Sequence, residues 1–261
     1  MKSLNASAYN TDKGVNTHYL RNFEAYFSPL ADAKVKLFEL GVKAGGSLLL
    51  WRDYFENGTI VGLDINSVSL NDSSGRIHVY TGRQEDEILL DRIAAERAPD
   101  GFDIIIDDCS HIGHLTRTTF WHLFDNHLKA GGLYVIEDWG TGYWETWPDG
   151  VEYRKLKTSS PNHPRLKVRD MLAGLQEQWI INRIPFARPL ISWAKAAVSR
   201  REFHSHDFGL VGFIKELVDE AGMGDITHQT NGIAPYRPSK FTELRVSHGH
   251  VFIVKASAET S

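Results

Sequence analysis

The sequence predicts an α/β fold: a doubly wound, mostly parallel, seven-stranded sheet that ends in an antiparallel hairpin and carries a helical and loop insertion. Three observations predict it. Phe102-Asp-Ile-Ile-Ile-Asp-Asp-Cys-Ser-His111 and Gly131-Gly-Leu-Tyr-Val-Ile-Glu-Asp138 are short β-branched runs that each close on two carboxylates. Such runs have the length and composition of strands buried on both faces of a parallel sheet. Upstream of them, strand-like and helix-like stretches alternate, which is the order of a doubly wound sheet. Downstream, 241–246 and 250–255 read as strands joined by Ser247-His-Gly249, a tight link that makes them antiparallel.

The 261 residues suit one sizeable α/β domain, with 1–34 as an N-terminal helical segment and 140–205 as an insertion. Hydrophobic residues make up 42%, enough for a full core, and a net charge of −4 argues against a general nucleic-acid binder. Cys109 is the single cysteine, so no intrachain disulfide forms and a reducing compartment is expected. Residues 1–10 carry no apolar run of a signal peptide. No stretch approaches the roughly 20 apolar residues of a membrane span, and the expectation is a cytoplasmic protein.

Taken in order, 15–28 forms a helix whose Tyr19, Phe23, Tyr26 and Phe27 pack on the core, and Pro29 stops it. Thr11 and Lys13 lie on the approach to that helix, placed to reach a ligand. The first strand is 35–41, followed by a glycine-rich turn through Gly41, Gly45, Gly46 and Ser47 and a helix over 48–54. Glycines there let a ligand approach the backbone and the free N–H groups of the helix start. The spacing is not that of Gly-x-Gly-x-x-Gly. The second strand, 59–65, contains Asp64, an acid where related folds bind ribose hydroxyls. A third strand, 77–80, precedes Gly82, Gln84 and Asp86. Asp86 caps the next helix, which runs to Arg97, while Gln84 either caps it or contacts an adenine.

The fourth and fifth strands are 104–106 and 133–136, with Gly131-Gly132 as punctuation before the fifth. The 16 residues from Gly113 to Leu128 are long enough for a helical crossover, which sets these strands side by side. Asp107, Asp108, Glu137 and Asp138 then meet at one rim, beyond the carboxyl ends of the strands, where ligands bind in open α/β sheets. Such acids also cap helices. Two pairs on neighbouring strands, with His111 three residues past the first, instead fit a hard divalent cation such as Mg²⁺, which takes oxygen ligands. Spacing alone leaves open whether Asp107 or Asp108 is the ligand.

After Trp139 the character changes. Trp139, Tyr143, Trp144 and Trp147 form an aromatic, turn-rich stretch, either a platform for a ring acceptor or a hydrophobic seal. Arg154, Lys155, Lys157, Arg165, Lys167 and Arg169 follow, with helical pieces expected at 168–179 and 190–200. The insertion reads as a lid over the rim or as a contact in a homo-oligomer. An amphipathic helix follows over 208–222. His204 with His206, and His248 with His250, are more simply loop and turn residues than a second metal site.

The motifs Phe38-Glu-Leu-Gly-Val42, Gly45-Gly-Ser-Leu48, Gly62-Leu-Asp-Ile65, Ile106-Asp-Asp-Cys-Ser-His111 and Gly131-Gly-Leu-Tyr-Val-Ile-Glu-Asp138 resemble those of class I S-adenosylmethionine-dependent methyltransferases. More narrowly they resemble the metal-dependent sugar O-methyltransferases of the mycinamicin and rhamnosyl-polyketide type, and Thr11-Asp-Lys13 is similar to that family as well. The resemblance covers roughly 11–144 and the final hairpin, with Cys109 where the family more often has glycine. It implies a Rossmann-like fold and methyl transfer from S-adenosylmethionine to a hydroxyl of a glycoside or oligosaccharide. It implies that Asp108, Glu137 and Asp138 bind Mg²⁺ and that His111 is the general base. It implies that Glu39, Gly41, Ser47, Asp64, Gly82 and Gln84 line the cofactor pocket, with Asp107, Thr11 and Lys13 beside the cofactor. Acceptor choice is expected in 150–205. A catechol or other small-molecule acceptor would suit the same rim, and the cephalosporin-hydroxylase type of cofactor-binding relative is also similar.

Overall fold

Strand β4, Phe102–Asp107, is almost wholly buried and sits at the middle of the sheet in the computed structural model. The structure describes residues 3–14, 17–158, 205–223 and 237–257. The stretches 168–179 and 190–200, together with Arg165, Lys167, Arg169 and His204, lie outside them, as does the side chain of Lys157. The chain groups into two units, Met1–Gly150 with Asp207–Ser261, and Val151–His206. In the second unit Tyr153 stacks on His206, ring centroids 4.1 Å apart. All that follows concerns the first.

The strands are β1 Lys36–Leu40, β2 Thr59–Asp64, β3 Ile77–Thr81, β4, β5 Leu128–Glu137, β6 Phe241–Val246 and β7 His250–Lys255. Their order across the sheet is β3-β2-β1-β4-β5-β7-β6. β1 to β5 run parallel, and β7 runs antiparallel to both β5 and β6. The seven strands and the closing hairpin follow the sequence reading. The helices are α1 Thr17–Phe27, α2 Gly46–Tyr54, α3 Glu87–Arg97, α4 Gly113–Asn126, α5 Pro148–Thr158 and α6 Gly209–Gly222.

Side chains alternate between the two faces of a strand, and each face has its own core. Phe38, Leu40, Ile105, Tyr134 and Ile136 pack against Leu90, Phe120, Phe124, Leu210 and Phe213 of α3, α4 and α6. Leu37, Ile104, Ile106 and Val135 pack against Leu20, Phe23, Leu48 and Trp51 of α1 and α2, together with Leu4 and Ala6 of the N-terminal segment. The sheet is therefore wound on both sides.

Most element ends shift by a residue or two from the sequence reading, β4 reaching back to Phe102 among them, and three boundaries have a clear local cause. β5 starts at Leu128, not at Leu133: the register jumps between Phe102↔Leu128 and Ile104↔Leu133, and Gly131, with φ +73°, sits inside that irregularity instead of ahead of the strand. α2 starts two residues early because Gly45, at φ +81°, serves as its N-cap. Helix α5 begins inside the aromatic, turn-rich stretch, at Pro148, a residue well suited to a first helical turn.

The strand ends are level. Leu40 pairs with Leu63 and with Asp107, Asp64 with Thr81, and Asp107 with Ile136. Everything that follows β1, β2, β3, β4 and β5 therefore emerges at one rim. Strand order reverses between β1 and β4, and that switch point is where an open α/β sheet leaves a crevice.

Candidate active site

A cleft of about 800 Å³ opens at this switch point, a size typical of small-molecule sites. Its lining comes from the turns after four parallel strands: Gly41 to Ser47 after β1, Asp64 and Asn66 around the end of β2, Gly82 and Gln84 after β3, and Asp108 to His111 after β4. Thr11 and Lys13 close it from the N-terminal segment, and Asp138 and Trp147 from the other side.

Gly41 is required where it stands. Its φ is +85°, and a Cβ there would lie 2.0 Å from the Asp108 carbonyl oxygen. The β1 and β4 turns thus touch backbone to backbone, which sets Asp108 against the cleft. Among the described residues three that are not glycine also hold a positive φ: Lys43 (+52°), His111 (+52°) and Asp138 (+51°). All three line the cleft. Left-handed backbone costs an ordinary residue about 1–2 kcal/mol, and such strain gathers at functional sites.

Asp64 closes β2 as expected, and its carboxylate is largely committed to the backbone. Oδ2 accepts from the Val42 and Lys43 amides at 3.0 and 2.8 Å, and Oδ1 from the Asn66 amide at 2.8 Å. Asp86 is a cap: its Oδ1 accepts from the Leu89 amide at 3.1 Å. Gln84 caps nothing. Its Oε1 accepts from the Ser110 amide at 3.1 Å and so ties the β3 turn to the loop that carries His111.

Under the cleft lies a charge cluster. Lys13 is 2% exposed. Its Nζ donates to Glu137 Oε1 at 2.5 Å and to Asp108 Oδ2 at 2.8 Å, and stands 3.5 Å from Glu39 Oε1. Sequence reasoning placed Lys13 where it could reach a ligand; it lines the cleft, and its ammonium is bonded to carboxylates. The reason is strand parity. Glu39 and Glu137 share a face with Leu37 and Val135, the face that the N-terminal segment covers. Glu39 also accepts from the Ser47 hydroxyl at 2.7 Å. Burial drives the Glu137 pKa well up and repulsion from Asp108 adds to it, against the pull of Lys13. Burial raises Glu39 likewise. Burial alone would lower Lys13, yet Asp108, Glu137 and Glu39 together hold it well above its ordinary value. One ammonium does not neutralise this many carboxylates.

Asp107 departs from the expectation that it lies beside the cofactor. It does not line the cleft and is 1% exposed. It has the parity of Ile105, so it turns toward the α3–α4 side of the sheet, and burial pushes its pKa up to about 7.

Asp108, His111 and Asp138 form the open part of the site. One ligand atom from each lies within 4.8 Å of the others, and Asp108 belongs equally to a second such group with Glu39 and Glu137. His111 Nε2 is 3.8 Å from Asp108 Oδ1. The Tyr19 hydroxyl donates to Asp138 Oδ1 at 3.0 Å, and the Asp138 amide donates to Gly249 O at 2.6 Å.

Sequence reasoning missed the role of Tyr19, which reads as one more core aromatic of α1. Its only signal was its place one helical turn before Phe23, on the side of the helix nearer the rim. Trp147 was one of several aromatics with no distinguishing mark. It faces His111 with ring centroids 6.1 Å apart, and its indole donates to Ser110 O at 3.2 Å. Trp139 donates to Ser247 O at 2.9 Å, and Trp144 is exposed. His250 lies in the core against Tyr19, ring centroids 3.7 Å apart, where burial lowers its pKa to about 3. Among the described residues no helix is long and apolar enough to cross a membrane.

No protein-family model matches the chain. It is similar to the mycinamicin VI 2''-O-methyltransferase of Micromonospora griseorubida, 45% identical over 134 residues, which is 49% of this chain and 32% of that protein. It is also similar to the demethylmacrocin O-methyltransferase of Streptomyces fradiae, 39% identical over 146 residues, 53% of this chain and 36% of that protein. The chain thus spans about a third of the length of these curated relatives. Among solved structures it resembles MycE methyltransferase from the mycinamycin biosynthetic pathway in complex with Mg and SAH. The TM-score is 0.61 at 28% identity, covering 96% of this chain and 52% of that one. The chain therefore has the α/β methyltransferase fold, and its relatives are sugar O-methyltransferases.

Proposed function

We propose that this chain is an O-methyltransferase that takes the methyl of S-adenosylmethionine and places it on a sugar hydroxyl of a glycoside or oligosaccharide, with a hard divalent cation such as Mg²⁺ at the rim. The observation that carries this is the convergence of Asp108, His111 and Asp138 on one point at the mouth of the switch-point cleft. The solved relative that holds Mg and SAH supports it.

The residues fit both groups. The carboxylates under and beside the cleft outnumber the single ammonium of Lys13, and repulsion from Asp108 adds to the burial that raises the pKa values of Glu39 and Glu137. Oxygen donors suit a hard cation. Asp108, Asp138 and Glu137 would hold it. The turns at Gly41 to Ser47, Asp64 and Gly82 to Gln84 would cradle S-adenosylmethionine, with Asp64 at the ribose. When bound, the cation supplies Lewis acidity that lowers the pKa of an adjacent hydroxyl, and the cofactor supplies an electrophilic methyl.

The chain's own residues do the rest. His111 Nε2 is positioned to take the hydroxyl proton, a step typically worth roughly 10²- to 10⁴-fold. Asp108 Oδ1 stands 3.8 Å from that nitrogen. Tyr19 and Gly249 hold Asp138 in its left-handed conformation. The indole of Trp147 walls the site beside His111 and offers an apolar surface to a sugar ring.

The test is calorimetric titration of S-adenosylmethionine into the chain in Mg²⁺ and in EDTA, followed by methyl transfer to a panel of sugars and catechols. Cofactor binding in both buffers, with transfer to sugars that EDTA abolishes and Mg²⁺ restores, is the expected result. Absence of cofactor binding in either buffer would sink the proposal.

A further inference from the structure

A second cluster of ligand atoms lies on the outer face of α3 and α4, and none of its residues lines the cleft. His122, in the last turns of α4, and His127, its C-cap, both aim Nε2 at the same oxygen, Asp91 Oδ1 of α3, at 2.8 and 2.6 Å. The imidazoles are mostly buried, with 12% and 19% of their surface exposed, whereas Asp91 is 57% exposed. His127 is further fixed through its backbone: its amide donates to Leu123 O at 2.9 Å and its carbonyl accepts from Phe102 at 2.7 Å. Two held rings thus face one exposed carboxylate, with solvent on the remaining side.

We infer that Asp91, His122 and His127 form a binding site for a borderline transition-metal ion of the zinc class, separate from the carboxylate rim. Two imidazoles and one carboxylate with an open position are the donor set such ions prefer, and a poor one for Mg²⁺. The three ligand atoms already lie within 4.8 Å of one another. Metal–ligand distances of about 2.0–2.2 Å need Asp91 to back away by a fraction of an ångström, and its exposure leaves it free to do so. A second carboxylate stands behind the first ring. Glu87 Oε2 is 3.7 Å from His122 Nδ1. A short movement of the exposed Glu87 would let it accept from an Nδ1–H, the outer contact that metal-binding histidines usually have.

The experiment titrates Zn²⁺ into the untagged chain carrying Asp108→Asn, in excess Mg²⁺, so that the rim does not contribute, with the visible absorption of Co²⁺ as a second readout. The expected result is one tight equivalent of Zn²⁺ and a Co²⁺ spectrum with nitrogen ligation. Adding Asp91→Asn or His127→Gln should weaken binding at least tenfold, and Glu87→Gln by about tenfold, the usual effect of losing an outer-shell partner. Asp91→Asn is isosteric at an exposed position, so the fold survives it. Absence of a tight equivalent, or an affinity that neither Asp91→Asn nor His127→Gln changes, would overturn the assignment.

Discussion

The Lys13 ammonium lies 2.8 Å from Asp108 Oδ2, a bond that joins the N-terminal segment to the residue just past β4 and places one positive charge among the carboxylates of the rim. The same nitrogen reaches Glu137 and faces Glu39. Removing one partner of a buried ion pair leaves uncompensated charge and typically costs about 3–5 kcal/mol. Lys13→Met keeps most of the length of the side chain and removes its charge and its N–H donors. In EDTA at neutral pH the variant should lose about that much stability. Mg²⁺ should restore more stability to it than it adds to the parent, because the cation then supplies the missing charge. Denaturant titrations with and without Mg²⁺ test this, and an unchanged midpoint in EDTA would show that Lys13 does not neutralise the cluster.

His111 sits at φ +52°, so its replacement must tolerate left-handed backbone, and asparagine does so better than most residues. In His111→Asn the methylation rate should fall by roughly 10²- to 10⁴-fold, while cofactor affinity by calorimetry stays the same. A rate within a few-fold of the parent would remove His111 from the role of base.

Gly41→Ala tests whether the β1 and β4 turns set the cleft. The φ of +85° alone costs an alanine about 1–2 kcal/mol. The Cβ would also press on the Asp108 carbonyl. The expected outcome is a lower denaturation midpoint together with weaker cofactor binding. A variant that is destabilised but binds the cofactor as the parent does would separate the turn from the pocket.

How much of this was legible in the sequence depends on what each residue answers to. β4 and β5 were readable because burial on both faces demands continuous apolar runs, and the hairpin because a short link leaves only one geometry. The acids at the strand ends were readable as a rim for the same reason. Which way each acid turns was less so. Asp107 and Asp108 are neighbours in sequence, but strand parity sends the first toward Tyr134 and the second past the strand end into the cleft. Lys13 and Tyr19 were illegible because their partners lie 95 and 119 residues away, and no local pattern encodes such a meeting. Asp91, His122 and His127 escaped notice for the same reason. The histidines are spaced by five on a helix end, and only the docking of α3 supplies their third ligand.

Asp149 is a second long-range contact that the sequence hides. Its Oδ2 accepts from the Gly113 amide at 2.8 Å and from the Leu210 amide at 2.7 Å, so one buried carboxylate oxygen serves the first turns of α4 and α6. Each such N-terminal bond is typically worth about 1 kcal/mol, and a buried donor left unpaired costs about 1–3 kcal/mol. Asp149→Ala should therefore destabilise by roughly 2–4 kcal/mol. Asp149→Asn keeps an acceptor oxygen and should recover part of this. Equal midpoints for the alanine variant and the parent would show that water replaces the carboxylate.

The Arg52–Asp72 pair supplies a pH dependence remote from the rim. Burial works against the Asp72 carboxylate, but Arg52 Nη1 at 2.8 Å, with the Ser74 hydroxyl and amide, outweighs it and holds the pKa at about 2. An unfolded aspartate titrates near about 3.9. The folded value is the lower one, so the stabilisation is fully present above about pH 4 and is lost as pH falls toward about 2. The difference corresponds to at most about 2.6 kcal/mol. In Arg52→Met the Asp72 pKa should return toward its ordinary value, and stability between about pH 4 and pH 2 should fall less steeply than in the parent. Denaturant midpoints across that interval give both slopes. Parallel curves for the two proteins would mean that Arg52 does not set the Asp72 pKa.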